Sequence, residues 1–514
     1  MKLSVLIREL LYSLRPFSSD PEITGIVSDS RLVKPGNLFV AFSGVCTDGH
    51  RYISAAIEQG AVAVVGTEPG NSFKVPYLQV EDSRKALPHL AAAFYGFPGR
   101  KLIVIGVTGT DGKTTTTNLI YAILQTAGYK VGMISTINAV IGDQVLDTGF
   151  HVTTPAAPDV QSYLAQMVNA GLTHVVLEVT SHGLAQHRVD GCEFDVAVIT
   201  NITHEHLDYH GTFESYRSVK ARLFASLNST VFKPHGNPRL AVLNRDDSSF
   251  EYLSQVSTGS ILSYGFQPGA DVHPEGIQYE HDKLRFVVVG MDRKFTCQCS
   301  LIGDFNISNC LAAISATVYA LGVSLTDAQA GIASIPGIPG RMERINLGQN
   351  FIAIVDFAHT PNALKAALET ARQLTSGKVI AVFGAAGLRD QQKRRMMAET
   401  SHELADLTVL TAEDPRTEVL EDILSEMVSG ATRKGGVEGR TFWRIPDRGD
   451  AIRFAISLAC PGDVVIACGK GHEQSMCFGE IEYAWDDRTA MRAALSQYLG
   501  IPGLQMPYLP TQDQ

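Results

Sequence analysis

The fold is decided by residues 102–117, which read LIVIGVTGTDGKTTTT. An apolar run leads into a glycine-rich turn that ends in Gly-Lys-Thr, and this order predicts a strand, a loop and a helix. Such a loop directs backbone N–H groups and the positive end of the helix dipole at a phosphate. Lys113 can then reach the terminal phosphates, and Thr114 can place its hydroxyl on Mg2+. The stretch therefore predicts that the chain uses a nucleoside triphosphate.

The loop departs from the standard phosphate-binding pattern at one position. That pattern has a glycine five residues before Gly112, where this chain has Val107. The alternative is a Gly-Lys-Thr that occurs by chance, but the predicted order of strand, turn and helix favours a phosphate loop. The residues expected around the nucleotide are Gly109, Thr110, Asp111, Gly112, Lys113, Thr114 and Thr115.

Length and charge exclude several classes of protein. The chain has 514 residues, too many for one hydrophobic core, and a formal net charge of −10 without a long run of Lys or Arg. This acidity argues against a nucleic-acid surface. No apolar stretch is long enough to span a membrane, and the N-terminus is charged too early for a secretory signal. We therefore expect a soluble, cytoplasmic protein. Separately, we expect a monomer.

Two linkers divide the chain into three α/β domains. The stretches GFPG at 96–99 and PGIPG at 336–340 cannot continue a helix or a strand. They separate a smaller N-terminal domain at 1–98, a central domain at 99–338 and a C-terminal domain at 339–514.

Apolar segments that alternate with helices predict the sheets of the two larger domains. The central domain should contain a mostly parallel sheet that carries the phosphate loop, with an antiparallel addition over 265–300. The C-terminal domain should be a Rossmann-like, doubly wound fold. The predicted strands are 102–107, 174–179, 194–200 and 239–243, then 351–356, 378–383, 406–411 and 463–468.

Polar residues follow the predicted central strands, at the edge where open parallel sheets bind ligands. Glu178 ends one strand and could hold Mg2+ beside Thr114, although a Glu at a strand end can also simply face water. Residues 204–210 hold three His and two carboxylates, of which Mg2+, an ion that prefers oxygen, would use one His at most. Asn306 either caps a helix or recognises adenine. Lys220 by itself is an ordinary exposed lysine.

Polar residues also stand after strands of the two outer domains. Residues 28–31 read SDSR, which suits a diphosphate or sugar ligand and equally suits a capped turn. The C-terminal domain has Arg389, EDPR at 413–416 and GKGHE at 469–473. Guanidinium groups bind carboxylates and carboxylates bind ammonium groups, so this rim suits a zwitterionic amino acid.

Taken in order, these motifs resemble the Mur ligases, and among them the enzymes that add the third residue of the peptidoglycan peptide. The resemblance covers nearly the whole chain, and the order and spacing of the motifs make it specific. The matching stretches are SDSR at 28–31, GTDGKTT at 109–115, TTP at 153–155, EVTSHGL at 178–184 with Gln186 and Arg188, HLDYH at 206–210, GDFN at 303–306 with Asn309, PGRME at 339–343, DFAHTP at 356–361 and GKGHE at 469–473.

The resemblance implies an ATP-dependent amide ligase of peptidoglycan synthesis, and thus of cell wall biogenesis, cell shape and cell division. In this family ATP phosphorylates the free side-chain carboxylate of D-glutamate in UDP-N-acetylmuramoyl-L-alanyl-D-glutamate. The amine of the incoming amino acid then attacks the acyl phosphate. The kept Arg416 favours meso-diaminopimelate, while lysine and ornithine stay open.

The resemblance also implies a role for each matching residue. Lys113 would stabilise the transferred phosphoryl group. Thr114 and Glu178 would hold one Mg2+, and His206 would help to hold a second. Lys220 would be carbamylated by CO2 and become a metal ligand. The residues implied at ATP are Asn306, Asn309, Arg341 and Asp356. Those implied at the UDP-sugar-peptide are Ser28, Ser30, Thr153, Thr154, Ser181, Gln186 and Arg188. Those implied at the amino acid are Arg389, Asp414, Arg416, Gly469 and Glu473.

This chain departs from the family at several of these positions. Asp111 replaces the usual Asn, Glu205 replaces the Asp that normally precedes His206, and EDPR at 413–416 replaces the Asp-Asn-Pro-Arg of diaminopimelate-adding members.

Two other functions are weighed against the resemblance. A folylpolyglutamate synthase or the ligase that adds the terminal dipeptide is the enzymatic alternative, and SDSR at 28–31 opposes the first of these. A nucleotide-binding regulator without activity is the other alternative. The presence of Lys113, Thr114, Glu178, His206 and Lys220 opposes it.

Overall fold

The computed structural model describes residues 1–10, 19–44, 47–69, 73–146, 153–203, 205, 207–279, 283–291 and 293–513. The strands are, in chain order, β1 (Gly25–Val27), β2 (Asn37–Val40), β3 (Ala63–Gly66), β4 (Tyr77–Gln79), β5 (Ile103–Thr108), β6 (Val131–Ile134), β7 (Ala139–Ile141), β8 (Gln144–Leu146), β9 (His174–Glu178), β10 (Val196–Ile199), β11 (Leu240–Asn244), β12 (Ser260–Tyr264), β13 (Val272–Tyr279), β14 (Leu284–Gly290), β15 (Arg293–Cys299), β16 (Glu343–Ile345), β17 (Ile352–Asp356), β18 (Val379–Phe383), β19 (Leu407–Leu410), β20 (Phe442–Arg444), β21 (Val464–Cys468), β22 (Ser475–Phe478) and β23 (Ile481–Ala484).

Helices connect most of these strands. They are, in chain order, α1 (Leu3–Leu6), α2 (Ile53–Glu58), α3 (Ser83–Phe94), α4 (Lys113–Thr126), α5 (Ala157–Asn169), α6 (Ser181–Ala185), α7 (Leu207–His210), α8 (Phe213–Ser226), α9 (Phe250–Val256), α10 (Asp304–Ile314), α11 (Leu325–Ala333), α12 (Pro361–Gln373), α13 (Gln391–Leu404), α14 (Leu420–Arg433), α15 (Arg448–Leu458) and α16 (Asp487–Leu499). Over the described ranges, no helix is both long and apolar enough to cross a membrane.

The N-terminal sheet is parallel, with the strand order β1-β2-β3-β4. Its core contains Leu38 and Val40 of β2 and Leu90 of α3. Helix α3 begins at a capping residue, because Asp82 accepts hydrogen bonds from the N–H groups of Arg84 and Lys85. The domain is thus a small α/β unit, as the sequence predicts.

The central sheet has eleven strands in the order β15-β14-β13-β12-β11-β10-β5-β9-β6-β7-β8. Its middle, from β12 to β6, is parallel, and β5 lies between β9 and β10. Helices α4, α10 and α11 cover one face, while α5 and α8 cover the other. Antiparallel strands extend both edges, and β13 to β15 form the addition predicted over 265–300.

The C-terminal sheet has the order β16-β17-β21-β18-β19-β20. Helices α12 to α14 cover one face, and α15 and α16 cover the other, as in a doubly wound fold. The sheet is nevertheless mixed, because β16 is antiparallel to β17. This edge strand has three residues directly after the second linker and only Ile345 is buried, a pattern too short to predict a strand. The domain limits at 98 and 338 stay predictions.

Candidate active site

The phosphate loop connects the end of β5 to the start of α4. Gly112 precedes the helix with a φ of 80°, and a Cβ there would overlap the Asn309 side-chain oxygen, so glycine is required. The end of β10 holds the loop in place. The carbonyl of Asn201 accepts from the Thr110 N–H over 2.8 Å, and its side-chain oxygen accepts from the Asp111 N–H over 2.9 Å.

Thr114 and Glu178 meet beside this loop. The Thr114 hydroxyl donates to Oε1 of Glu178 over 3.0 Å, and the Thr136 N–H donates to Oε2 over 3.0 Å. Glu178 is buried at the end of β9, next to β5, so the parallel order of the sheet brings the two residues together. Arg341 of the C-terminal domain also donates to the Thr114 hydroxyl, over 3.2 Å.

Two lysines approach the same loop from different sides. Lys113 Nζ donates to the Thr110 carbonyl over 2.8 Å, and Lys220 Nζ donates to the Gly109 carbonyl over 2.6 Å. Lys220 is buried, not exposed as an isolated lysine would be, and lies 4.6 Å from the ring centre of Tyr216. Burial, together with the charge of Lys113, holds the pKa of Lys220 well below its usual value. His206 lies outside the described residues.

Two cavities meet at the boundary of the central and C-terminal domains, and Arg341 lines both. The first has a volume of about 220 Å³ and the second about 250 Å³. Of the residues predicted from the sequence, the first cavity is lined by Thr110, Lys113, Thr153, Glu178, Arg389, Asp414, Arg416, Gly469 and Glu473. The second is lined by Asp111, Gly112, Thr115, Asn306, Asn309 and Asp356.

Asparagine side chains form one wall of the second cavity. Asn309 donates to the Asn306 side-chain oxygen over 3.0 Å, and Asn306 donates to the Ile302 carbonyl over 2.7 Å. Asn306 therefore does not cap the N-terminus of α10, where Gly303 stands. Asp356 also lines this cavity and accepts from the N–H groups of Met342 and Ala358. Burial raises the pKa of Asp356.

A buried lysine organises the far end of the first cavity. Lys470 donates to Asp414 over 3.0 Å and lies 2.5 Å from Glu473. Burial alone would lower the pKa of Lys470, but Glu473 and Asp414 together raise it. The family resemblance leads us to expect Asn at position 414 in members that add diaminopimelate. In this chain the negative charge of Asp414 is balanced by Lys470. Arg416 is fixed nearby through its backbone, whose N–H donates to the Cys477 carbonyl over 3.1 Å.

The structure does not place all predicted substrate residues on the cavities. Arg188 donates to the Thr154 carbonyl over 2.7 Å and to the Gln186 side chain over 2.8 Å, which makes one network behind the first cavity. Ser181 starts α6 and is buried. Ser28 and Ser30 follow β1, and no described residue of the N-terminal domain lines either cavity.

Comparison with known proteins assigns the chain to a family. Three family profiles match consecutive parts: the Mur ligase family catalytic domain at 22–95, the Mur ligase middle domain at 107–317 and the Mur ligase glutamate ligase domain at 340–471. A UDP-N-acetylmuramyl-tripeptide synthetase of Roseiflexus sp. is 43% identical over 98% of this chain and 100% of its own length. The chain belongs to the Mur ligase family. The resemblance found in the sequence is confirmed.

Further relatives and solved structures agree with this assignment. A UDP-N-acetylmuramoyl-L-alanyl-D-glutamate–2,6-diaminopimelate ligase of Geobacillus thermodenitrificans is 41% identical over 97% of this chain and 100% of its own length. A solved structure of a ligase with the same name has a TM-score of 0.64 and 31% identity, covering 93% of this chain and 95% of that chain. A folylpolyglutamate synthase of Mycobacterium tuberculosis has a TM-score of 0.60 at 16% identity, covers 82% of this chain and 96% of that chain, and shares the fold alone.

Sequence reasoning missed several residues that this Mur ligase places on the first cavity. His359 of the C-terminal domain lies 3.1 Å from Glu205 of the central domain, and both line the cavity. Glu205 also acts on the loop, because burial and the Glu205 charge raise the pKa of Asp111. Glu413 and Lys393 complete the wall. Their motifs were visible in the sequence, but only the tertiary fold brings them to one space.

Proposed function

We propose that this Mur ligase is an ATP-dependent amide ligase that joins an amino acid to the free carboxylate of D-glutamate in UDP-N-acetylmuramoyl-L-alanyl-D-glutamate. The product would be a precursor of peptidoglycan, and we propose meso-diaminopimelate as the amino acid. Support comes from the Geobacillus thermodenitrificans and Listeria monocytogenes relatives, which are named for this reaction and are 41% and 38% identical to this chain. Lysine and ornithine are the alternatives, since the name of the Roseiflexus relative specifies no amino acid.

One observation carries the proposal: a single cavity joins the phosphate loop to the arginines of the C-terminal domain. Lys113 and Glu178 line this cavity, and so do Arg389 and Arg416. A phosphoryl donor bound at the first pair and an amino acid bound at the second would therefore share one space between two domains. Enclosure of this kind protects an acyl phosphate from water.

The reaction needs charge neutralisation more than a strong base, because the transferred phosphoryl group is negatively charged. Lys113 supplies a cation at the start of α4, where the helix dipole and the loop N–H groups also favour negative charge. The carboxylate of D-glutamate attacks the terminal phosphorus of ATP, and ADP leaves. The amine of the incoming amino acid then attacks the acyl carbon of this acyl phosphate, and inorganic phosphate leaves.

The hydroxyl of Thr114 and the carboxylate of Glu178 offer oxygen atoms, which are the ligands that Mg2+ prefers. The Thr114 hydroxyl and the Glu178 carboxylate lie 3.0 Å apart and would hold the ion, which neutralises phosphate charge when bound. We propose that CO2 carbamylates Lys220 and turns the buried amine into an oxygen ligand. The lowered pKa supports this, because the uncharged amine is the form that reacts with CO2. His206 stays a proposed ligand.

The remaining site residues are proposed by the family resemblance and by their positions. The second cavity would bind the nucleoside of ATP through Asn306, Asn309, Arg341 and Asp356. The UDP-sugar-peptide would be bound by Ser28, Ser30, Thr153, Thr154, Ser181, Gln186 and Arg188, and the amino acid by Arg389, Asp414, Arg416, Gly469 and Glu473.

We also propose a cytoplasmic monomer, because both cavities lie within one chain and ATP is supplied in the cytoplasm.

Phosphate release tests the proposed function directly. The purified protein is mixed with ATP, Mg2+, the UDP-linked dipeptide and each of a panel of amino acids that includes meso-diaminopimelate, L-lysine and L-ornithine. We expect release with meso-diaminopimelate, and transfer of one 18O atom from the labelled D-glutamate carboxylate to phosphate. Lys113→Ala should abolish release and stay folded, whereas Lys101→Ala, an exposed lysine before β5, should not change it. Release without 18O transfer would contradict the acyl phosphate.

A further inference from the structure

Glu413 is a buried carboxylate on the wall of the first cavity, and it has no role in the function proposed above. It follows β19, and only 6% of the residue is exposed. Its Oε2 atom is buried and has no hydrogen-bond partner among the described residues. A buried carboxylate without a partner is costly, so its presence in a ligand cavity calls for a chemical reason.

The fold makes room for this side chain. Gly469 has a φ of 112°, and a Cβ at this position would overlap Oε2 of Glu413. A Cβ at Gly384, on the other side, would overlap Cβ of Glu413. Two glycines at the ends of neighbouring strands therefore leave space for one carboxylate, which indicates a built site and not a chance orientation.

The other acidic residues of this cavity wall are already engaged. Asp414 and Glu473 contact Lys470, and Glu205 contacts His359. Glu178 accepts from Thr114 and Thr136, and Asp390 caps α13. Within the part of the chain that the structure describes, Glu413 is the acidic residue of this wall that has a buried oxygen without a hydrogen-bond partner.

Resting on the proposed function, we propose that Glu413 accepts the proton that the incoming amino group must lose before it attacks the acyl phosphate. The ammonium group gives one proton to the carboxylate, and its nitrogen keeps the electron pair. The nitrogen forms the C–N bond, the bond between the acyl carbon and the phosphate oxygen breaks, and the second proton that the nitrogen loses in becoming an amide leaves with the phosphate. The protonated Glu413 then returns its proton to the departing phosphate or to water.

The charges around Glu413 are compatible with this role. Burial raises the pKa of the carboxyl, which makes it a better proton acceptor than an exposed glutamate. Four groups oppose that shift from the elements packed around it: Lys393 on α13, His359 before α12, Arg448 on α15 and Lys470 after β21. Of these, Lys470 and Arg448 are fully engaged with other carboxylates.

Hydroxylamine separates proton removal from every earlier step. It is largely uncharged at neutral pH and attacks an acyl phosphate without first losing a proton, which gives a hydroxamate. In Glu413→Gln we expect kcat with saturating amino acid to fall by about 100-fold or more. Hydroxamate formation from ATP and the UDP-linked dipeptide should stay within about twofold of the wild-type rate, since an oriented acceptor is not needed there.

Two further variants complete the experiment. Glu413→Asp keeps the acceptor and should regain part of kcat, whereas Glu438→Gln, an exposed surface residue, should match the wild type. A higher KM for the amino acid with unchanged kcat would make Glu413 a binding residue and overturn the proposal. If Glu413→Gln and Glu413→Asp both lose amide formation and hydroxamate formation to the same extent, the proposal is also overturned. A wild-type enzyme that forms neither product would instead overturn the proposed function, and this proposal with it.

Discussion

Arg341 Nη2 lies 3.2 Å from the Thr114 hydroxyl, although 227 positions separate the two residues in the sequence. The guanidinium group also packs 4.4 Å from the ring centre of Phe357, which orients it toward the phosphate loop. Its Nε atom is buried and has no hydrogen-bond partner among the described residues. A side chain of the C-terminal domain thus completes the nucleotide site of the central domain and keeps a donor available for a ligand.

Arg341→Ala should weaken the use of ATP. Hydrogen bonds to charged groups contribute about 1.5–3 kcal/mol, so we expect kcat/KM for ATP to fall by about 10- to 100-fold. Arg341→Lys should recover little of this loss, because an ammonium group has neither the planar face that stacks on Phe357 nor the fixed arrangement of donors of a guanidinium group. Initial rates at varied ATP concentration measure the effect. Arg453→Ala, which removes a surface ion pair with Asp450, is the control. Equal rates for Arg341→Ala and the control would exclude this role.

Lys220→Ala should lose activity and regain much of it with a small carboxylate. If carbamylation makes Lys220 a metal ligand, then added formate or acetate can occupy the space of the missing side chain, which is buried beside Gly109. We expect a loss of about 100-fold or more in kcat and a recovery of at least tenfold at high formate concentration. Lys113→Ala should gain nothing from formate, since its lysine acts as a cation. Without any recovery in Lys220→Ala, carbamylation would have to be abandoned.

Much of this site could be predicted from the sequence, because its central part is local. Residues 102–117 specify a strand, loop and helix in order, and Glu178 stands at the end of the strand next to β5. The approach of Arg341 to Thr114 could not be predicted, since it depends on how two domains pack. The missing hydrogen-bond partner of Glu413 Oε2 could not be predicted for the same reason. Only the fold shows that Lys470 donates a hydrogen bond to Asp414, the residue next to Glu413.

Arg416→Ala should change the choice of amino acid more than the rate of the chemistry. The distal carboxylate of meso-diaminopimelate, which lysine lacks, would meet this guanidinium group. We expect kcat/KM for meso-diaminopimelate to fall by about 100-fold and any use of L-lysine to change by less than about threefold. Competition between the two amino acids gives the ratio directly. Arg444→Ala, which removes surface ion pairs of β20, should leave the ratio unchanged. Equal losses with both amino acids would argue against meso-diaminopimelate.

His174 should make the central domain sensitive to acid. It is buried at the start of β9, 4.6 Å from the Tyr129 ring centre, and burial lowers its pKa from 6.5 to about 4. Above pH 6.5, the pKa of the ring in the unfolded chain, the ring is uncharged in the folded and the unfolded protein. The folded protein therefore loses stability only as pH falls from 6.5 toward 4. At about pH 5 this linkage costs about 2 kcal/mol, and His174→Gln should remove that part of the loss. Urea unfolding at about pH 7.5 and pH 5 measures it, with the exposed His89→Gln as control. If His174→Gln loses as much stability as the control, the buried ring does not stay uncharged.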